Sequence, residues 1–167
     1  FTSSSSFTVA ENQTNAAAIT VTDADGDSIN FSLSGADSDS FSISSSGALT
    51  FNNAPDYETK ESYSLIITAS DGTSAQSQTV SIAISNVNEV PQISALSSTQ
   101  TPNENQSSVV TVSASDPDAS TTLTYSVSGS DSSLFAITSS GVLTFSSTPD
   151  YETPGDADGD NNYQINV

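Results

Sequence analysis

The sequence has no cysteine, histidine, methionine or tryptophan, and a single basic residue, Lys60, stands against 20 acidic ones. Each absence removes a class of chemistry. Without cysteine there are no disulfides, no thiol nucleophile and no thiolate metal site, which fits an extracellular protein stabilised by other means. Without histidine there is no imidazole ligand and no histidine-based triad. A formal charge of −19 excludes binding to phosphate backbones, and to anionic membranes, by any general electrostatic route. Membrane insertion is not expected, because no apolar run approaches the roughly 20 residues that a helical span needs. No secretory signal is visible, and the segment is expected to belong to a longer polypeptide.

Hydrophobic residues make up only 34% of the chain, a level compatible with disorder. Here they alternate with Ser and Thr, the pattern of half-buried strands. Short strands are expected at "FTVA" (7–10), "AITV" (18–21), "INFSL" (29–33), "FSI" (41–43), "ALTF" (48–51), "SYSLIITA" (62–69) and "TVSIAIS" (79–85). Polar turn clusters separate them, and no helical period occurs. Seven such strands in under about 100 residues suggest an immunoglobulin-like β-sandwich. Its core would contain Phe31, Leu33, Phe41, Ile43, Leu49, Phe51, Tyr63, Leu65, Ile67, Val80, Ile82 and Ile84.

The unit is repeated. "FSISSSGALTFNNAPDYET" from Phe41 aligns with "FAITSSGVLTFSSTPDYET" from Phe135, and Gly35 aligns with Gly129. "AEN" ending at Asn12 aligns with "NEN" ending at Asn105, and Asp23 and Asp25 fall on Asp116 and Asp118. The period suits one small sandwich and is too long for a solenoid unit. Two domains follow, 1–89 and 90–167. The second core would use Tyr125, Val127, Phe135, Ile137, Leu143, Phe145, Tyr163 and Ile165. Tyr63 leads into two long strands, whereas Tyr163 leads only to "QINV". The second sandwich is therefore expected to lack its last strand in this chain. Truncation, an interrupting domain, or a strand supplied by a neighbouring subunit would each account for this.

The acids gather at strand ends. The first copy has Glu11, Asp23, Asp25, Asp56, Glu58, Asp71 and Glu89; the second has Glu104, Asp116, Asp118, Asp150, Glu152, Asp156, Asp158 and Asp160. "AEN", "DAD", "DYE", "ASDG" and "NVNEVP", in that order and at sandwich spacing, resemble the motifs of cadherin repeats. The similarity is to the divergent type found in large bacterial RTX-type surface adhesins, and covers the first copy and the second up to Val167. It implies two tandem cadherin-like Greek-key sandwiches with Ca²⁺ held at the joints between repeats. Glu11, Asp56, Glu58, Asn86, Asn88 and Glu89, with Asp116 and Asp118, would bind it at one joint. Asp23, Asp25 and Asp71 would serve a preceding joint, and Glu104, Asp150 and Glu152 a following one. Carboxylate, amide and carbonyl oxygens are the ligands Ca²⁺ takes. The linker departs from the family pattern in having Asn86 where an Asp is usual and in being one residue shorter, and Tyr57 stands where the family has Arg.

Asp156, Asp158, Gly159 and Asp160 resemble the first half of an EF-hand loop without its closing Glu. They suggest a calcium loop, or else a solvated acidic turn. Tyr57 and Tyr151 are expected to pack at the sandwich edge. Asp37 and Asp39 lie in a loop with no assigned role. Paired acids without an aromatic cleft, and serines without a nearby base, give no catalytic constellation, so an enzyme is not expected. The resemblance implies a calcium-rigidified extracellular repeat that extends or presents a binding head on a bacterial surface. Its partners would be neighbouring repeats of the same polypeptide, and a cell-surface glycan or protein. A carbohydrate- or peptide-binding module, and a filament or surface-layer subunit completed by strand exchange, stand as alternatives.

Overall fold

A computed structural model describes residues 1–94, 96–118 and 121–167. Ala119 and Ser120, the end of the segment aligned with Thr22–Asp27, lie outside the described residues. The chain divides into two compact units, Phe1–Asn88 and Glu89–Val167.

The first unit contains β1 (Ser6–Ala10), β2 (Asn15–Ala18), β3 (Asn30–Ser34), β4 (Phe41–Ile43), β5 (Ala48–Phe51), β6 (Ser62–Ser70) and β7 (Ala75–Ser85). One sheet has the order β1-β7-β6-β3 and the other β2-β5-β4. All pairs are antiparallel except β1 with β7. β7 thus stands between β1 and β6 and shares backbone hydrogen bonds with both. Alternation sends Leu65, Ile67, Val80, Ile82 and Ile84 inward, where they meet Val9, Ile19, Phe41, Leu49 and Phe51. The remaining expected core residues, Phe31, Leu33, Ile43 and Tyr63, pack around that centre.

β2 corrects the expected strand at residues 18–21. The ladder runs from Asn15 to Ala18 instead. Ile19 makes one further bond, its N–H donating to the Gly47 carbonyl at 2.8 Å. Gly47 lies in the turn that precedes β5, so the sheet offers no next partner. The Thr20 carbonyl accepts instead from Thr2 N–H at 2.9 Å. Apolar alternation located the buried Ile19; the end of the neighbouring strand decided where pairing stops.

The second unit contains β8 (Gln92–Ile93), β9 (Ser108–Thr111), β10 (Ala114–Ser115), β11 (Phe135–Ile137) and β12 (Val142–Phe145). Its sheets are β10-β8 and β11-β12-β9. β9, β11 and β12 repeat β2, β4 and β5. Val112 N–H donates to the Gly141 carbonyl at 2.8 Å, as Ile19 does to Gly47. The ring geometry repeats as well. Phe41 and Phe51 centroids lie 4.5 Å apart, with Tyr63 edge-on to both at 5.6 and 5.2 Å. Phe135, Phe145 and Tyr163 give 4.6, 5.8 and 5.1 Å. Edge-to-face packing of this kind adds roughly 0.5–1.5 kcal/mol per pair to area burial. Leu143, Phe145 and Val112 are buried; Tyr125, Val127, Ile137 and Ile165 are half-buried. A single bridge pairs Ser128 with Asn166. Among the described residues no helix is long and apolar enough to cross a membrane.

Candidate metal centres

Glu11 follows β1 directly, and its N–H still donates to the Ser85 carbonyl of β7 at 3.1 Å. Asn12 then turns through the left-handed region (φ 63°), and its N–H donates to the Pro55 carbonyl at 3.0 Å. Asn tolerates that conformation better than most residues. The turn brings Glu11 against "PDYE". Its Oε2 accepts from Tyr57 N–H and its Oε1 from Val87 N–H, both at 2.8 Å. The residue is 3% exposed. Each oxygen keeps a further lone pair after these bonds, so the carboxylate is fixed in place yet can still accept a cation.

Asp56 and Glu58 face the same point. Asp56 accepts from Thr59 N–H at 3.1 Å and from Thr59 Oγ1 at 2.9 Å. Glu58 Oε1 accepts from Asn86 Nδ2 at 2.8 Å. One carboxylate oxygen each from Glu11, Asp56 and Glu58 lie within 4.8 Å of one another. Like charges at that separation repel by on the order of 1 kcal/mol per pair in bulk water, and by more where solvent is excluded. Oxygens 2.3–2.6 Å from a common centre fall within 4.8 Å of each other for most ligand angles, so the set fits one Ca²⁺. With no sulfur or imidazole donor in the chain, the donor chemistry is that of a hard cation.

The second unit repeats the construction. Asn105 (φ 61°) donates its N–H to the Pro149 carbonyl at 2.9 Å. Glu104 Oε2 accepts from Tyr151 N–H at 3.0 Å, and Asp150 Oδ1 from Glu152 N–H at 3.0 Å. Glu104, Asp150 and Glu152 again bring their oxygens within 4.8 Å, but all three are exposed. Tyr57 packs against the first core as expected, whereas Tyr151 is 66% exposed. Tyr151 departs from the expectation: its ring stays at the surface.

Asp156, Asp158 and Asp160 form another group within 4.8 Å. Asp156 accepts from Asp160 N–H at 2.8 Å and Asn161 N–H at 3.2 Å, and Asp160 accepts from Asn162 N–H at 2.7 Å. Gly159 (φ 76°) and Asn161 (φ 64°) supply the left-handed backbone this tight loop needs. Asn161 Nδ2 ties the loop to the Tyr151 carbonyl at 2.9 Å. The hydrogen bond to Asp156 and the charge of Asp160 raise the Asp158 carboxyl above its ordinary pKa. That shift expresses crowding of negative charge.

The remaining expected ligands sit elsewhere. Asp23 Oδ1 accepts from Asp25 and Asp27 N–H, both at 3.0 Å. Asp71 Oδ1 accepts from Thr73 N–H at 2.7 Å and Ser74 N–H at 2.6 Å. Asp116 Oδ1 accepts from Asp118 N–H at 2.9 Å, and Asp118 Oδ2 from Glu89 N–H at 2.7 Å. Among the described residues, Asp23, Asp25, Asp71 and Asp116 join no such three-acid group. Asn88 is the last residue of the first unit.

Asp37, given no role from sequence, is a structural tie. It forms an ion pair with Lys60, and its Oδ2 accepts from Ser64 N–H at 2.7 Å. Asp131 occupies the same place in the second unit. It accepts from Ala157 N–H at 2.8 Å and Gln164 N–H at 2.7 Å, and is buried. Asp37 holds Lys60 and Ser64, the latter in β6 next to Tyr63, and Asp131 holds Ala157 and Gln164, the latter next to Tyr163. The signal was present in the repeat: Gly35-x-Asp37 aligns with Gly129-x-Asp131. Lys60 and then the Ser64 N–H hold the Asp37 carboxyl below its ordinary pKa. The resulting stabilisation is complete above the unfolded value of about 4 and is lost as pH falls through the lower folded value. In urea unfolding between about pH 2 and 6, Asp37→Asn should therefore cost about 1–2 kcal/mol at pH 6 and less at pH 2. An equal loss at both pH values would contradict this role.

Residues 5–85 match the family model of the Cadherin domain. No curated protein matches the sequence. Among solved structures, the chain is similar to human protocadherin-24 EC1-2 (form II), with 21% identity and a TM-score of 0.62 over 90% of this chain and 77% of that one. Mouse cadherin-23 EC22-24 is 25% identical, with a TM-score of 0.53 over 89% of this chain and 53% of that one. Drosophila N-cadherin EC1-4 is 24% identical, with a TM-score of 0.55 over 87% of this chain and 39% of that one. The chain thus has the all-β sandwich fold of these cadherins, and its first unit matches the cadherin domain.

Proposed function

We propose that this chain is a non-enzymatic, calcium-stiffened pair of extracellular adhesion repeats. It serves to extend or present a binding head, in a surface protein of the bacterial RTX-type adhesin class. The observation that carries the proposal is the buried Glu11 carboxylate, pinned by two backbone N–H groups with oxygens of Asp56 and Glu58 within 4.8 Å. Concentrating three like charges costs free energy that a bound cation reverses. The cadherin-domain match over residues 5–85 supports the adhesion-repeat class.

On the sequence order of the motifs, Asn86, Asn88, Glu89, Asp116 and Asp118 are assigned to the same calcium-binding set as Glu11, Asp56 and Glu58. Asp23, Asp25 and Asp71 are assigned to a preceding joint, and Glu104, Asp150 and Glu152 to a following one. Asp156, Asp158 and Asp160 are assigned to a separate calcium loop. Neighbouring repeats are the proposed partners, with a cell-surface glycan or protein engaged by the head. Calorimetric titration of calcium into the decalcified chain tests the assignment. Asp116→Asn with Asp118→Asn should weaken at least one site about tenfold or more, whereas Asp39→Asn should leave every site unchanged. Equal effects would remove Asp116 and Asp118 from the set. Asp37 is unsuitable as the control, because its replacement disturbs the fold.

A further inference from the structure

A pocket of about 300 Å³ lies in the first unit and shares Asp56 with the candidate metal centre. Three segments enclose it: the 3₁₀ turn Ser38–Ser40 that leads into β4, the chain just past β5, and Pro55–Thr59. Phe51, which is buried, and Tyr63, which is half-buried, form an apolar floor. The walls are fixed by hydrogen bonds. Asn52 N–H donates to the Ser40 carbonyl and Asn52 Nδ2 to the Asp39 carbonyl, both at 2.9 Å. Ser42 Oγ donates to Asn52 Oδ1 at 2.6 Å. On the far side the Pro55 carbonyl accepts from Asn12 N–H, and Thr59 holds the Asp56 carboxylate.

The polar groups at the mouth are not committed to the fold. The side chains of Asp39, Ser40 and Asn53, and the Tyr63 hydroxyl, make no hydrogen bond among the described residues. Lys60 does not line the pocket; it pairs with Asp37 and lies over the Tyr63 ring, 4.5 Å from its centroid. The second repeat keeps the floor and changes the mouth. Phe145, Pro149 and Tyr163 stand for Phe51, Pro55 and Tyr63, but Ser133, Leu134 and Ser147 replace Asp39, Ser40 and Asn53. The turn Ser132–Leu134 and the β11–β12 pairing still form. Neither the turn nor the ladder therefore requires the mouth residues of the first repeat.

We propose that this pocket binds one ring of a neutral saccharide, held at its mouth by Asp39, Asn53 and the Tyr63 hydroxyl. Each hydroxyl of a sugar both donates and accepts. Neighbouring hydroxyls are therefore matched by a carboxylate, which only accepts, and an amide, which does both, facing the same space. The C–H face of the ring displaces water from the floor of Phe51 and Tyr63. A volume of about 300 Å³ is at the low end for small-molecule pockets and suits a single ring. Asp39 and Asp56 are the charged residues lining it, so uronic and sialic acids are repelled. The fixed walls leave little backbone to order on binding. This site puts saccharide recognition on the repeat itself, beyond the head that it presents. It does not rest on the calcium assignment, because Asp39 belongs to none of the three-acid groups.

The test follows backbone amide chemical shifts of the full chain during titration with the methyl glycosides of glucose, galactose, mannose and N-acetylglucosamine. Each is taken to about 50 mM, the range that a millimolar dissociation constant requires. At least one should move Ser40, Asn53, Thr59 and Tyr63 to saturation, whereas glucuronic acid and N-acetylneuraminic acid should move none of them. Asp39→Ser combined with Asn53→Ser installs the residues of the second repeat. It should raise the dissociation constant about tenfold or more, as loss of hydrogen bonds to a charged group does. Unchanged shifts away from the pocket would show that this variant keeps its fold. The response to the glycoside should persist in chelator. Silence with all four glycosides, an equal response to glucuronic acid, or undiminished binding by the double variant would overturn the proposal. So would shifts that appear only with calcium, which would put the sugar on a cation at Asp56. Absent calcium binding with the glycoside response intact would remove the calcium assignment alone.

Discussion

In chelator, the first unit should melt roughly 10–20 °C lower than in a hundredfold excess of calcium over its dissociation constant. Mass action at that excess contributes about 2.7 kcal/mol for a site present only in the folded state. For a unit of this size, 1 kcal/mol moves the midpoint by roughly 4–8 °C. The direction follows from electrostatics. Glu11 is buried and fixed by Tyr57 and Val87 N–H, so it cannot swing away from Asp56 and Glu58 to relieve repulsion. Unfolding separates the three charges; calcium makes that separation costly. Glu58→Gln should remove most of the calcium-dependent shift while raising the melting temperature in chelator, because one repulsive charge is gone. Lower stability of this variant in both conditions would mean that Glu58 serves the fold through Asn86 rather than through a cation. Scanning calorimetry with and without calcium distinguishes the outcomes.

Gly47→Ala should be among the most damaging single substitutions in the first unit, costing about 3 kcal/mol or more. Gly47 has φ +82°, and a Cβ there would lie 2.1 Å from the Ile19 carbonyl oxygen. The positive φ alone disfavours an L-residue by about 1–2 kcal/mol. The contact is with backbone, which cannot rotate aside. Relief requires moving the β2–β5 crossing, where Ile19 N–H donates to the Gly47 carbonyl and Ile19 is buried. Gly141→Ala reproduces the clash, at 2.1 Å from the Val112 carbonyl oxygen. It should lower the stability of the second unit and leave the first largely unchanged. Gly26→Ala provides the comparison: its φ is +82° too, but nothing lies within 4 Å of the added Cβ. It should cost only the conformational component. Denaturant unfolding of the three variants checks the order, and a Gly47→Ala cost no larger than that of Gly26→Ala would refute the steric argument.

Much of the fold was legible in the chain because strand alternation and turn residues are local. The period-2 pattern of "SYSLIITA" and "TVSIAIS" marked β6 and β7, and the duplicated "GALTF" and "GVLTF" marked β5 and β12. The "PDYE" duplication marked Asp56, Glu58, Asp150 and Glu152, and the order of motifs tied Glu11 and Glu104 to them. Other features depend on residues far apart. The length of β2 was set by the turn at Gly47. Asp37 became a tie only when folding brought Lys60 and Ser64 to it, 23 and 27 residues along. Asp131 needed Gln164, 33 residues on. No local pattern encodes such partners.

The sequence by itself determined the all-β character, the duplication and the oxygen-only donor chemistry, since composition and periodicity act residue by residue. The tertiary structure alone decided that Glu11 is buried and doubly hydrogen-bonded while Glu104 is exposed, and that Tyr57 packs while Tyr151 does not. The members of each pair sit in nearly the same local sequence. They differ in what stands beside them: in the first unit β7 borders β1, and the residues just past it bring Val87 N–H to Glu11. Burial of a side chain is a property of its neighbours, and neighbours are assigned by the fold.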